Sequence, residues 1–209
     1  MNAQYSEEAK IELVVDDGEV TLYVDGRQAM QEWERELMWH SADLMCAWGA
    51  EYLEVGLGLG LSALRIAGHT TTVRHTVVEK YQRVIDLFRD RHPAPPANLQ
   101  IVKADIFDFA RNLAPDSLDG VFFDPYLSKS VPYNMEQLWS DVLPALVRAL
   151  RVGGALVPCF TTKPELRWPY YYYFDRVIVE RHAYAAYRAT EYTPRVSGDA
   201  FIQCFVKTR

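Results

Sequence analysis

The chain has 209 residues, 49% hydrophobic and 24% charged, enough for one domain whose core needs neither disulfides nor metal. A net charge of −6 argues against nucleic acid as a general partner and suits cationic or zwitterionic small molecules better. Three widely spaced cysteines without a CxxC pair argue against a disulfide framework and a zinc site; the polar start and the lack of a long apolar run argue against a signal peptide or a membrane span, so a cytoplasmic protein is expected.

Residues 11–25 alternate apolar and polar positions around Asp16-Asp17-Gly18-Glu19, which predicts a β-hairpin with an Asp-Gly turn. Over residues 28–48, Trp33, Leu37, Leu44, Met45 and Trp48 fall on helical spacing and predict an amphipathic helix. A strand–helix alternation comes next. Strands are predicted at 51–55, 75–78, 99–103, 118–123 and 155–160, with candidate sixth and seventh strands at 176–181 and 201–207. Helices are predicted from the glycine loop to about residue 67, at 81–91, and at 134–150, the last closed by Arg151-Val152-Gly153-Gly154. Short buried strands alternating with helices imply an α/β chain with a mainly parallel sheet covered on both faces. The aromatic run at 170–174 is either a partly buried packing segment or one wall of a substrate pocket.

The strongest chemical signal is Glu54-Val55-Gly56-Leu57-Gly58-Leu59-Gly60, between a predicted strand and a predicted helix. Glycine there permits a tight turn and close approach of a ligand. Glu79 ends the next strand, where a carboxylate can accept hydrogen bonds from two ribose hydroxyls; Asp105 and Asp124 come after strands three and four. One strand-end acid is usually a cap or turn residue. Four of them in succession mark the rim where open α/β sheets bind ligands. Glu54 at the end of the first strand would repel a pyrophosphate and attract an amine, which favours S-adenosylmethionine over NAD or FAD.

On these residues the chain resembles the class I S-adenosylmethionine-dependent methyltransferases, through Leu53 to Gly58, Val78-Glu79, Ala104-Asp105, Phe123-Asp124 and Leu150 to Gly154. It is more closely similar to guanidinoacetate methyltransferase and its relatives, through Met30-Gln31-Glu32-Trp33-Glu34, the acid–tyrosine turn of 119–128, and Cys159-Phe160-Thr161-Thr162. The resemblance implies a doubly wound, Rossmann-like seven-stranded sheet with its last strand antiparallel, preceded by the N-terminal β-hairpin, with residues 1–29 as an extension and 30–209 as the methyltransferase domain. It implies a cofactor site at Glu54, Gly56, Gly58, Gly60, Glu79, Asp105 and Asp124. Glu34 and Asp124 would clamp a substrate guanidinium, with Asp124 taking the proton, and Tyr126, Thr161 and Thr162 would complete a site for a small guanidino or amino compound such as guanidinoacetate or arginine. Pro125-Tyr126 departs from the family's turn and is imperfectly similar to the Asp/Asn-Pro-Pro-Tyr signature of enzymes that methylate amino groups. Lys163 also departs from the family; it reads as a surface lysine, with a substrate carboxylate as its alternative partner.

A second resemblance, at Leu22 to Gln28 and Glu34, is to spermidine synthases, which use decarboxylated S-adenosylmethionine; the leading Glu54 argues against that reading. A non-catalytic member that binds a partner through its aromatic segment is the third. A homodimer is open.

Overall fold

An Asp17-Gly18 turn, both residues at positive φ, folds β1 (Ile11–Asp16) onto β2 (Glu19–Val24), with Asp16 opposite Glu19 as the alternation predicts. The computed structural model describes residues 9–126, 138–166 and 168–209. A second turn at Asp25-Gly26 leads to a strand absent from the sequence expectation, β3 (Arg27–Gln31), antiparallel to β2. The helix expected over 28–48 therefore starts later. Glu32–Glu34 form one 3-10 turn, and α1 spans Arg35–Cys46. The hydrophobic pattern hid β3 because two of its three buried positions are glutamines: Gln28 and Gln31 are buried beside Met30, and both spend their side chains in hydrogen bonds.

The main sheet runs β6-β5-β4-β7-β8-β10-β9. β4 (Glu51–Val55), β5 (Arg74–Glu79), β6 (Leu99–Lys103), β7 (Leu118–Phe123) and β8 (Leu150–Pro158) are mutually parallel; β10 (Ser197–Val206) is antiparallel to both β8 and β9 (Arg176–Ala185). The seven strands and the antiparallel last strand agree with the expectation. β8 begins five residues earlier than predicted. Gly153 and Gly154 do not stop a helix; they exchange hydrogen bonds with Lys207 beside a register shift in the β7–β8 pairing.

Helices cover both faces. α1, α2 (Leu61–Gly68) and α3 (Gln82–Arg91) pack with the three-stranded sheet on one side, where Tyr52, Val77, Phe122 and Val157 point. α4 (Ile106–Phe109), α5 (Leu143–Ala149, after a π-helical turn at Leu138–Val142) and α6 (Trp168–Tyr171) lie on the other, over Leu53, Val121, Phe123 and Phe205. The start of the helix expected over 134–150 lies outside the described residues. Tyr170 and Phe174 are core residues packed on Phe205, and Tyr172 faces solvent, so the aromatic run is the packing segment of the two alternatives. At the base of the sheet Asp119 accepts from Ala50 N and Glu51 N (2.9 and 3.0 Å) and pairs with Arg151 at 2.6 Å, joining the starts of β4, β7 and β8. Among the described residues no helix is long and apolar enough to cross a membrane.

Candidate active site

Parallel ladders overrun the strand ends and fix the first residues beyond them. Gly56 N donates to Val78 O, Ala104 N to Glu79 O, Asp124 N to Val55 O and Cys159 N to Phe123 O, all within 3.1 Å. A cavity of about 670 Å3 opens over this rim, walled on its far side by β2 and β3. That size suits a cofactor together with a small substrate. Among the described residues five acidic side chains line it (Glu34, Glu79, Asp105, Asp124, Glu191) against three cations (Arg27, Lys80, Lys163), an acidic lining that suits a cationic ligand better than a pyrophosphate.

The glycine loop forms one wall. Gly56 has φ +92°, and a Cβ there would stand 2.5 Å from the Asp124 carbonyl oxygen; Gly58 lies under the Met30 thioether. Glycine is therefore required for the rim to close. Gly60 does something else. It caps α2 at φ +77° beneath the Phe88 ring and does not reach the cavity.

Glu79 accepts from Leu57 N (2.9 Å) through one oxygen and Tyr81 N (2.8 Å) through the other, and keeps acceptor capacity beyond them. Burial raises its carboxyl above the usual range despite those two bonds and one from Lys80 N. Asp105 caps α4 by accepting from Phe107 N (3.0 Å) and pairs with Lys80 at 3.0 Å, so it is a cap and a cavity residue at once.

Glu54 is not at the cavity, contrary to the sequence expectation. Strand alternation turns it with Tyr52 toward α2, where it is 1% exposed. One oxygen accepts from Ser62 Oγ, and the other lies 3.0 Å from buried His75 Nε2, out of line for a hydrogen bond. The amine-binding role inferred from its place in the sequence has no geometric basis, because its carboxylate is committed beneath the loop.

Glu34 is brought to the cavity by the 3-10 turn after β3. Gln31 N donates to Glu34 Oε1 at 2.7 Å, and the Gln31 side chain bridges the Trp33 indole and Thr21 hydroxyl, which holds the turn inward. Glu34 is 2% exposed. Burial pushes its carboxyl up to about 8; the Gln31 N–H opposes this, and the charge of Asp124 adds to it. Two acids far apart in sequence thus share one wall and repel.

Tyr126 donates to Val24 O (3.2 Å), joining the turn after β7 to β2. Thr161 and Thr162 line the cavity, but the Thr161 backbone is used in pairing with Phe201, leaving its hydroxyl as the free donor. Lys163 lines the rim and is exposed. The N-terminal sheet supplies wall residues Leu22, Val24, Arg27 and Met30, while the aromatic run supplies none. Sequence reasoning missed Gln28, Tyr81, Glu191 and Tyr192. None sits in a strand-end motif, and the last two come from the β9–β10 connection. Among the described residues no cluster of His, Cys, Asp and Glu could hold a metal ion.

A family model, guanidinoacetate N-methyltransferase, matches residues 3–185. Among solved structures, spermidine synthase from Thermotoga maritima is 17% identical with a TM-score of 0.69, over 97% of this chain and 70% of that one. The N-methyltransferase NodS from Bradyrhizobium japonicum WM9 is 19% identical with a TM-score of 0.59, over 85% of this chain and 97% of that one. At such identities the structures share the fold with this chain.

Proposed function

The chain belongs to the guanidinoacetate N-methyltransferase family, and from that premise we propose that it transfers the methyl group of S-adenosylmethionine to a nitrogen of a small guanidino or amino compound. Membership makes it an S-adenosylmethionine-dependent methyltransferase; the acceptor class is inferred from the cavity. The observation that carries it is the pair Glu34 and Asp124, the first buried and pushed up to about 8 partly by the charge of the second. Two carboxyl groups in one wall resist ionising together, and a planar cation between them favours the charged form of both and offsets the repulsion and the desolvation.

The residues present fit the cofactor. Gly56 and Gly58 present bare backbone to the cavity, Glu79 lines it as a strand-end carboxylate with acceptor capacity for a ribose hydroxyl, and Val78, Ile106 and Phe107 offer an apolar slot beside Asp105 for a base. When bound, S-adenosylmethionine supplies an electrophilic methyl on a sulfonium. The chain's own part is orientation and proton removal. Glu34 and Asp124 hold the cationic head so that one nitrogen faces the methyl in line. That nitrogen must lose a proton as the N–C bond forms, and Asp124, at the strand end, accepts it. Tyr126 and the Thr161 and Thr162 hydroxyls line the far side of the acceptor.

Asp124→Asn keeps the shape and removes the charge. It should abolish methyl transfer to guanidinoacetate while S-adenosylhomocysteine affinity, measured by calorimetry, stays within about threefold. Unchanged turnover in this variant would remove Asp124 from the chemistry.

A further inference from the structure

Residues 186–196 join β9 to β10 and lie beyond the span that the family model matches. The loop is built rather than slack. Ala186 N donates to Val196 O at 2.7 Å, closing its base, and inside it Thr190 N donates to Tyr187 O (3.2 Å) and Thr193 Oγ1 to Arg195 O (2.7 Å). Its tip is fastened to β3: Glu191 N donates to Oε1 of buried Gln28 at 2.7 Å, and Tyr192 Oη donates to Ala29 O at 2.6 Å. Tyr192 thereby stands in the cavity wall with Glu34, Asp124 and Thr162, on the strand that leads into the Glu34 turn.

A phenol has one proton, and here β3 takes it. Tyr192 as a whole is 46% exposed, but desolvation at its hydroxyl end, then the charges of Asp124 and Glu34, push the phenol above its usual range, so the proton stays in place at neutral pH. Toward the cavity the oxygen therefore offers only lone pairs. A guanidinium of the arginine type has five N–H donors, and two carboxylates gripping it in bidentate fashion satisfy at most four. A neutral third acceptor is what such a head still needs.

We propose that Tyr192 is an acceptor-binding residue, whose phenol oxygen, fixed by β3, receives the N–H of the cationic head that Glu34 and Asp124 leave over. This rests on the reading of Glu34 and Asp124 as the clamp. The loop is then part of the substrate site, and the Gln28 tether sets where Tyr192 stands.

The test titrates guanidinoacetate and, separately, L-arginine into protein saturated with S-adenosylhomocysteine, for the native chain, Tyr192→Phe and Gln28→Ala, with amide exchange followed over 186–196. Tyr192→Phe should weaken the probe that binds about tenfold while S-adenosylhomocysteine affinity stays within about twofold. Gln28→Ala should speed exchange in the loop and weaken the probe less than Tyr192→Phe does. Native-like probe affinity in Tyr192→Phe overturns the proposal while leaving the clamp standing. So does a loss in Gln28→Ala equal to that in Tyr192→Phe, because loosening alone then explains both. If the native chain binds neither probe, the clamp reading fails and Tyr192 falls with it.

Discussion

Glu34 is held in the cavity wall by one backbone N–H, against burial and a neighbouring carboxylate. Its response to pH is set by that balance. The unfolded group ionises near 4.5 and the folded one near 8, so between those values the folded chain keeps a proton that the unfolded chain has lost. Stability attributable to Glu34 therefore falls as pH rises through that window and is level above it. Glu34→Gln should flatten this part of the curve of melting temperature against pH and raise the melting temperature at pH 7. A cationic acceptor reverses the balance by favouring the charged form. At pH 7 its binding should release about one proton, measured as the dependence of calorimetric heat on buffer ionisation enthalpy, and Glu34→Gln should bind without release. Equal release from both proteins would dissociate Glu34 from the acceptor. At this scale the sequence was half legible. Glu79 at the end of β5, and Asp105 and Asp124 just past β6 and β7, all line the cavity. Glu54 satisfied the same rule and does not, because the two faces of a strand are indistinguishable in sequence when both are buried, and His75 and Ser62 claim it from below.

β3 does more for the cavity than its five residues suggest. Its two buried glutamines break the periodicity by which strands are recognised, and the same side chains fasten the Glu34 turn and the 186–196 loop. The feature that concealed the strand is the feature that makes it useful. The strands of the parallel sheet were legible because each holds a short apolar core, such as Ile101-Val102 or Val121 to Phe123, bounded by turns or acids, and β6 and β7 start and stop where the pattern says. The opposite end of that sheet offers a control on which end matters. Burial of Asp119 opposes its ionisation, but the Ala50 N–H, the Arg151 guanidinium and the Glu51 N–H outweigh this and hold its carboxyl below the usual range. Its contribution is present above the unfolded pKa of 3.8 and lost as pH falls through the folded value. Asp119→Ala should cost about 2 kcal/mol and lower the melting temperature by roughly 4–8 °C at pH 7. S-adenosylhomocysteine affinity should barely change, because the loss is at the strand starts. A large fall in that affinity would show that the base and the rim of the sheet are coupled.

The whole molecule is a sheet wound on both faces whose rim faces the small N-terminal sheet, and its overall fold is shared with both a spermidine synthase and an N-methyltransferase. Fold alone does not choose between methyl and aminopropyl transfer. Glu54, the residue that argued for the former in the sequence, is turned away from the cavity; the family match over residues 3–185 decides instead. Titration of the protein with S-adenosylmethionine and with its decarboxylated form should give tighter binding of the intact cofactor, and the reverse order would favour aminopropyl transfer. The strand order has a temporal side as well. β10 comes after every other strand of the sheet in sequence, yet it lies inside the sheet, between β8 and β9. A chain emerging from the ribosome as far as β9 has an open slot at that place, with unpaired edges on two strands. Until β10 is inserted, β9 has no partner in the sheet, and the loop bearing Tyr192 has no second anchor at its base. The part of the cavity wall that carries Glu191 and Tyr192 is therefore the last to be finished in synthesis, after the strand-end acids of the rim are already in place.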